Sequence, residues 1–183
     1  KRANIKNAGQ AIANGIALVP SDRKNQGLML ELSNRHNLSI SSMKKRMKGC
    51  FIDKKAEQAF SESMASKLSI KMGGLDLPVS SLSGGNQQKV AIAKWLHAGC
   101  NLLIFDEPTR GIDVAAKAEI HQLIRNFAAQ EGKAAIVISS EVNELVSVSD
   151  RIIVMSKGQI TGELEAEEIE QNNVLRHITT KGR

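Results

Sequence analysis

Apolar positions along the chain follow more than one rhythm. Residues 16–19 (IALV), 101–108 (NLLIFDEP) and 134–140 (AAIVISS) are short continuous apolar runs, ended by Pro20, by paired acids and by paired serines. Runs of this length between turn residues read as buried strands, and the middle one as a central parallel strand. Residues 86–99 (NQQKVAIAKWLHAG) instead place Val90, Ile92, Ala93 and Leu96 at helical spacing, with Gly99 as a stop signal. Asp113 opens another amphipathic segment over 114–130, and 141–149 (EVNELVSVS) predicts a short helix. Residues 151–164 (RIIVMSKGQITGEL) predict a hairpin turning at Lys157 and Gly158. The stretch 33–70 is polar and mostly helical in period. Asp53 is placed to cap a helix over 54–68, and Gly73 and Gly74 break the chain after it. The acidic residues 163–170 predict a solvated surface helix. Alternation of strand and helix makes this an α/β domain.

Composition narrows the picture. The 183 residues suffice for one domain with a real core, and an apolar content of 42% is that of a globular protein. No apolar run reaches membrane-spanning length and no signal-peptide pattern appears. The chain opens on Lys1, not Met, which suggests a processed chain, an engineered one or a piece of something longer. Cys50 and Cys100 lack the spacing of a metal or redox pair and read as reduced thiols. A net charge of +6 admits nucleic acid, an anionic membrane surface or polyphosphate as partners. Aromatics are only 3% of the chain, too few for base-stacking platforms. The densest basic run, KKRMK at 44–48, reads as a solvated surface loop, and Trp95 as a packing residue.

Two stretches carry candidate chemistry. Asp106 and Glu107 stand at the carboxyl end of an apolar strand, the edge where open α/β sheets bind ligands. Successive strand side chains point opposite ways, so the two acids suit different jobs. One can serve Mg²⁺, usually through water, and its neighbour can orient and deprotonate an attacking water. A pair of strand-end acids that merely caps the following turn is the alternative. The second stretch is LSGG at 82–85, directly before a helix. Helix N-termini expose unpaired N–H groups and partial positive charge, and glycines let phosphate oxygens approach. A plain serine cap after a glycine turn is the equal alternative.

The order LSGGNQQK, helix, LLIFDEPTRGID resembles the ABC-type ATPase domain, over roughly residues 16–164. Residues 82–85 match the family signature, 102–107 its Walker B strand and 110–113 its D-loop; SDRIIVMSKGQI at 149–160 resembles its closing strands. The forms NQQK, DEPTRGIDV and DRKNQG are similar to the C-terminal ATPase half of tandem monosaccharide importers of the ribose, galactose and xylose type. The resemblance implies a P-loop NTPase domain of α/β class, lacking the P-loop portion, with a helical signature subdomain. It divides the chain into a partial core at 1–33, a helical subdomain at 34–96, a core carrying Walker B, D-loop and switch region at 97–165, and a tail at 166–183. It implies ATP and Mg²⁺ as cofactors, with Asp106 serving the metal, Glu107 as general base and Ser140 at the switch position. Leu82, Ser83, Gly84, Gly85, Gln87, Asp113 and Ser21 become nucleotide-binding candidates, the signature turn touching ATP held by an opposite lobe. The implied partners are a second ATPase half, two transmembrane permease subunits and, indirectly, a periplasmic sugar-binding protein, with no nucleic acid. The implied place is the cytoplasmic face of the inner membrane, peripherally bound. The segment 21–37 is expected to meet membrane subunits, with Asp22, Arg23 and Lys24 as its polar rim.

The sequence departs from the family pattern in three ways. No GxxxxGK[ST] occurs; the one Gly-Lys pair is Gly132-Lys133, followed by Ala134. In the family that phosphate cradle lies upstream of the helical insert, so this piece alone is expected to bind ATP feebly. Ser21 stands where a glutamine is common, and Ser140 where a histidine is common. None of His36, His97, His121 and His177 occupies the switch place. Two further classes stay open: a soluble ABC protein acting on nucleic acid or ribosomes, and a half that binds nucleotide but hardly hydrolyses it. Nucleosides or signalling molecules are possible cargoes beside sugars.

Overall fold

The computed structural model describes residues 4–179. Its centre is a parallel three-stranded sheet in which β4 (Leu102–Asp106) lies between β1 (Ile16–Val19) and β5 (Ala134–Ile138). Val19 pairs with Phe105, and Asp106 with Ile138, so the three carboxyl ends finish together. Alternation sends Ala17, Val19, Leu103 and Phe105 to one face, where they pack with Ile92, Ile120, Ile124 and Phe127. Those partners come from α4 (Gly84–Leu96) and α5 (Val114–Ala128), which cover that face. The other face is open: Leu18 is 49% exposed, Ile136 47% and Ile138 52%. The runs thus form parallel strands with β4 central, but the sheet is buried on one face only.

A second core joins Leu28, Leu38, Met64, Ile70, Val79 and Leu82 to Val90, Ala91 and Ala93 of α4. It holds α2 (Asn34–Ser39) and α3 (Lys54–Lys67). Because α4 faces two cores, eight of its residues from Gly85 to Ala93 are buried, including Gln87, Gln88 and Lys89. A helix apolar or buried all round sits between layers rather than on one. Trp95 packs beside the sheet core, as its helical position suggests.

Three local expectations need correction. The segment 40–53 is not continuous helix: a 3₁₀ turn over Ile40–Arg46 leads into a small antiparallel pair, β2 (Met47–Lys48) and β3 (Phe51–Ile52). The basic run there is only partly solvated. Arg46 donates to the Ser39 carbonyl and Ser42 Oγ, and its guanidinium stacks 3.7 Å from the Phe60 ring centre. A long aliphatic stem and a flat cation let arginine do this where lysine would snorkel outward. Finally, residues 163–170 are not one surface helix: 163–165 end strand β7 (Gln159–Glu165), which pairs with β6 (Arg151–Ser156) as the hairpin requires, and Ala166–Glu168 form a 3₁₀ turn. Gln159, Glu163 and Glu165 of β7 are exposed and Thr161 half-buried, while Leu164 faces inward.

The hairpin turns at Lys157 and Gly158, both with positive φ, as a two-residue turn between twisted strands requires. It packs with α6 (Val142–Val148) and α7 (Gln171–Thr179) around Ile152, Val154, Leu164 and Val174. The tail is therefore docked at Val174, although residues 180–183 lie outside the described residues. A short helix, α1 (Ala8–Ala13), precedes β1 and is capped by the Asn7 side chain. Asp53 and Asp113 cap α3 and α5 as expected.

Candidate functional site

Three loops leave the carboxyl edge of the sheet side by side, carrying Ser21 after β1, Glu107 after β4 and Ser140 after β5. Asp106 is the last residue of β4 and pairs with Ile138. Glu107 carries the ladder one step further, its N–H donating to the Ile138 carbonyl at 2.8 Å. It does so at φ +46°, a conformation side-chain-bearing residues seldom adopt. Its carboxylate is held as well: Glu107 Oε1 accepts from the Ser140 backbone N–H at 2.9 Å. Its carbonyl accepts from the Arg110 N–H at 3.1 Å, closing a turn. Strained backbone kept in place by surrounding bonds is common where function fixes a geometry. Ser140 enters the site through its amide, while its side chain is exposed.

The 82–85 turn lies elsewhere on the surface. Leu82 is buried in the helical-layer core and anchors the turn. Ser83 has the extended dihedrals of an N-cap, yet its hydroxyl makes no cap bond to the helix backbone. Instead Asn86 Nδ2 donates to Ser83 Oγ at 3.0 Å, and the serine is exposed. The N-terminal amides of α4 are thus left for another acceptor. Gly85 has a packing reason besides: a Cβ there would stand 2.6 Å from Ala116 Cβ of α5. At Gly84 a Cβ would stand 2.8 Å from Arg23 Nη2. Gln87 points inward, its Nε2 donating to the Val79 carbonyl at 3.3 Å, and is 5% exposed. Its amide end therefore ties α4 to the helical layer rather than facing outward beside Ser83.

Arg23 has a structural role beside its place in the rim. Its Nη1 donates to the Arg110 carbonyl at 3.0 Å and its Nη2 lies over Gly84. It fastens the 110–113 loop to the start of α4. Asp22 and Lys24 are exposed beside it, and all three line a shallow cleft with Ser21, Arg110 and Gly111. The Asn25 side chain and N–H donate to the Asp22 carboxylate and hold its pKa below the usual range. Asp113 Oδ1 accepts from the Ala116 N–H at 2.9 Å and closes the loop.

Among the described residues, no hydrogen bond or ion pair joins Leu82, Ser83, Gly84 or Gly85 to Asp106 or Glu107; the 110–113 loop lies between the two groups. The structure brings Ser21, Asp106, Glu107 and Ser140 to one edge, and Ser83, Gly85 and Asp113 to another surface. Sequence reasoning missed three anchors. Lys89, buried on α4, pairs with Glu119 and donates to the Ser69 carbonyl at 2.9 Å. Thr109 and Glu144, both buried, bond to each other. A charged residue at an apolar helical position was the visible sign for Lys89; for the others only distant sequence partners reveal the contact.

A divalent ion fits this edge in chemistry. Asp106 and Glu107 are hard oxygen donors, and Mg²⁺ takes one or two carboxylates with waters and phosphates rather than an all-protein cage. The residues present supply no glycine-rich phosphate cradle.

A strand-end acid pair on a parallel sheet, a glycine turn opening a buried helix, and the loop between them define an ATP-binding-cassette fold. Residues 3–110 match the ABC transporter family, and the chain belongs to it. Ribose import ATP-binding protein RbsA 2 of Streptomyces coelicolor is 47% identical over 165 residues, spanning 90% of this chain and 32% of that protein. Ribose import ATP-binding protein RbsA of Hahella chejuensis is 44% identical over 178 residues, spanning 97% of this chain and 35% of that protein. The chain spans about a third of the length of the curated relatives it matches. Among solved structures, the dimeric ATP-binding cassette MJ0796 bound to ADP and Pi superposes with a TM-score of 0.71 at 20% identity, over 89% of this chain and 68% of that one. At that identity the likeness is one of fold.

Proposed function

We propose that this chain is part of an ATP-hydrolysing lobe that powers monosaccharide import, working with a second ATPase lobe and two transmembrane permease subunits. The observation that carries the proposal is Glu107, turned out of the strand at φ +46° and fixed at its carboxylate by the Ser140 amide. A carboxylate held at a strand exit can orient a water and take its proton. Asp106, one residue earlier, is the residue to hold Mg²⁺ through water. Mg²⁺·ATP, when bound, supplies the transferable phosphoryl group and the cation that neutralises its charge. The phosphate cradle belongs to polypeptide outside these residues.

Among the described residues no hydrogen bond or ion pair ties the turn at 82–85 to these acids, so its free amides suit phosphate presented by the other lobe. Ser83 can add a hydroxyl donor. Leu82, Gly84 and Gly85 set the turn, and Asp113 holds the neighbouring loop. Gln87 supports the helix from inside. Ser21 sits where it can face the same water as Glu107, though with a shorter reach than glutamine. Peripheral attachment at the cytoplasmic face of the inner membrane, through the permeases, belongs to the same proposal. Among the described residues no helix is long and apolar enough to cross a membrane.

The test is made in the full-length parent, assembled with its permeases. Glu107→Gln is expected to abolish steady-state hydrolysis and sugar uptake while ATP stays bound, measured by phosphate release and nucleotide retention. Hydrolysis at the unsubstituted rate would remove Glu107 as base. Ser140→Ala is expected to leave the rate within about twofold, since the backbone N–H that holds Glu107 is kept and no transition-state contact of the hydroxyl is removed.

A further inference from the structure

Behind Glu107 lies a buried polar cluster that the roles above do not use. Thr109 Oγ1 donates to Glu144 Oε1 at 2.8 Å. Thr109 is 1% exposed and Glu144 3%. The same oxygen lies 3.1 Å from His121 Nε2 of α5, and His121 Nδ1 lies 3.2 Å from Ser147 Oγ. No arginine or lysine pairs with Glu144 among the described residues' ion pairs. A buried carboxylate is costly, and an apolar trio of similar volume often serves stability as well or better. Its placement gives it another use. Glu144 lies on α6, and Ser140 lies just before that helix. Glu107 and Thr109 lie two residues apart on the turn that leaves β4. Two bonds therefore fasten this turn to the 140–144 segment, one at the Glu107 carboxylate and one at Thr109.

We infer that Thr109 and Glu144 are positioning residues that hold Glu107 in its left-handed conformation, with its carboxylate fixed relative to the sheet edge. The inference rests on Glu107 being the base. Neither residue touches nucleotide: Thr109 is turned inward and Glu144 lies beneath the turn. With the Thr109 anchor gone, the Glu107 backbone keeps its bonds to the Ile138 carbonyl and the Arg110 N–H, but its carboxylate is held by the Ser140 amide alone and the turn as a whole can shift against the 140–144 segment. Misplacing a catalytic group by about 1 Å costs rate rather than substrate binding.

The experiment uses the full-length parent with its permeases. Thr109→Val keeps the shape and removes the donor; Glu144→Met keeps the length and removes the acceptor. Each is expected to lower kcat for ATP hydrolysis about tenfold, with KM for ATP within about twofold, the scale on which positioning shells act. Thr109→Ser and Glu144→Gln, which keep a donor and an acceptor, are expected to stay near the unsubstituted kcat. An unchanged kcat in Thr109→Val overturns the inference. So does a joint loss of kcat, ATP affinity and thermal stability that Thr109→Ser fails to restore. Glu107→Gln is measured in parallel: if it hydrolyses normally, the base assignment has failed, and that outcome is separate from a normal Thr109→Val rate beside an inactive Glu107→Gln.

Discussion

Gly85 shows at the residue scale how a motif can serve packing and ligand at once. Its missing side chain lets α4 and α5 approach at Ala116, since a Cβ would fall 2.6 Å from the Ala116 Cβ. Gly85→Ala is therefore expected to destabilise the chain by about 1–3 kcal/mol, the usual cost of overpacking. Denaturant unfolding measures this, and adding Ala116→Gly is expected to restore most of the loss; an unchanged midpoint in the single variant would contradict the packing account. Sequence reasoning found the glycine turn and weighed phosphate approach against a plain serine cap, but not packing against α5. The contact that demands Gly85 comes from a residue 31 positions later, which no local pattern displays. Asp106 and Glu107 were legible because an apolar run ending in acids is a local signal; the positive φ of Glu107 was not.

At the scale of elements, α4 explains why charged and amide side chains sit at buried positions. It is wedged between the sheet core and the helical layer, so Gln87, Gln88 and Lys89 are covered as fully as Val90. Its C-terminal end meets a stack in which Arg46 lies over Phe60 and Phe60 meets the His97 ring edge-on at 5.4 Å. Burial, then the nearby charges of Lys67, Lys45, Lys133 and Arg46, push the His97 pKa below its ordinary 6.5. The unfolded chain then binds the proton more readily, so stability rises with pH up to that value and falls on acidification through it. Unfolding followed from pH 7 to pH 5 is expected to show this loss, and His97→Gln to flatten part of it. A slope unchanged in the variant would contradict it. The small pair β2 and β3 and helix α1 were not legible: two-residue strands carry too little alternation, and the six residues AGQAIA, with Ile12 their one large apolar side chain, are too few to show a stripe.

For the whole molecule, the open sheet face is the main departure from a closed domain. The apolar runs announced strands buried throughout, and the parallel order with β4 in the centre followed. Exposure falls chiefly on Leu18, Ile136 and Ile138, while Leu102 and Ile104 of β4 are half-covered between neighbouring strands. The 183-residue chain is therefore expected to bind a hydrophobic dye such as anilinonaphthalene sulfonate, and Leu18→Ser with Ile138→Ser to reduce the signal. No dye binding would contradict an exposed face in solution. The central claim is that the acids at 106–107 and the turn at 82–85 serve nucleotides on different lobes. The direct measurement places Cys at Ser83 in the full-length parent and exposes it to an ATP analogue bearing a thiol-reactive group on its terminal phosphate. The account predicts labelling at position 83 that survives Asp106→Asn on this lobe and disappears when the other lobe's nucleotide site is disabled. Labelling that vanishes with Asp106→Asn and ignores the other lobe would contradict it.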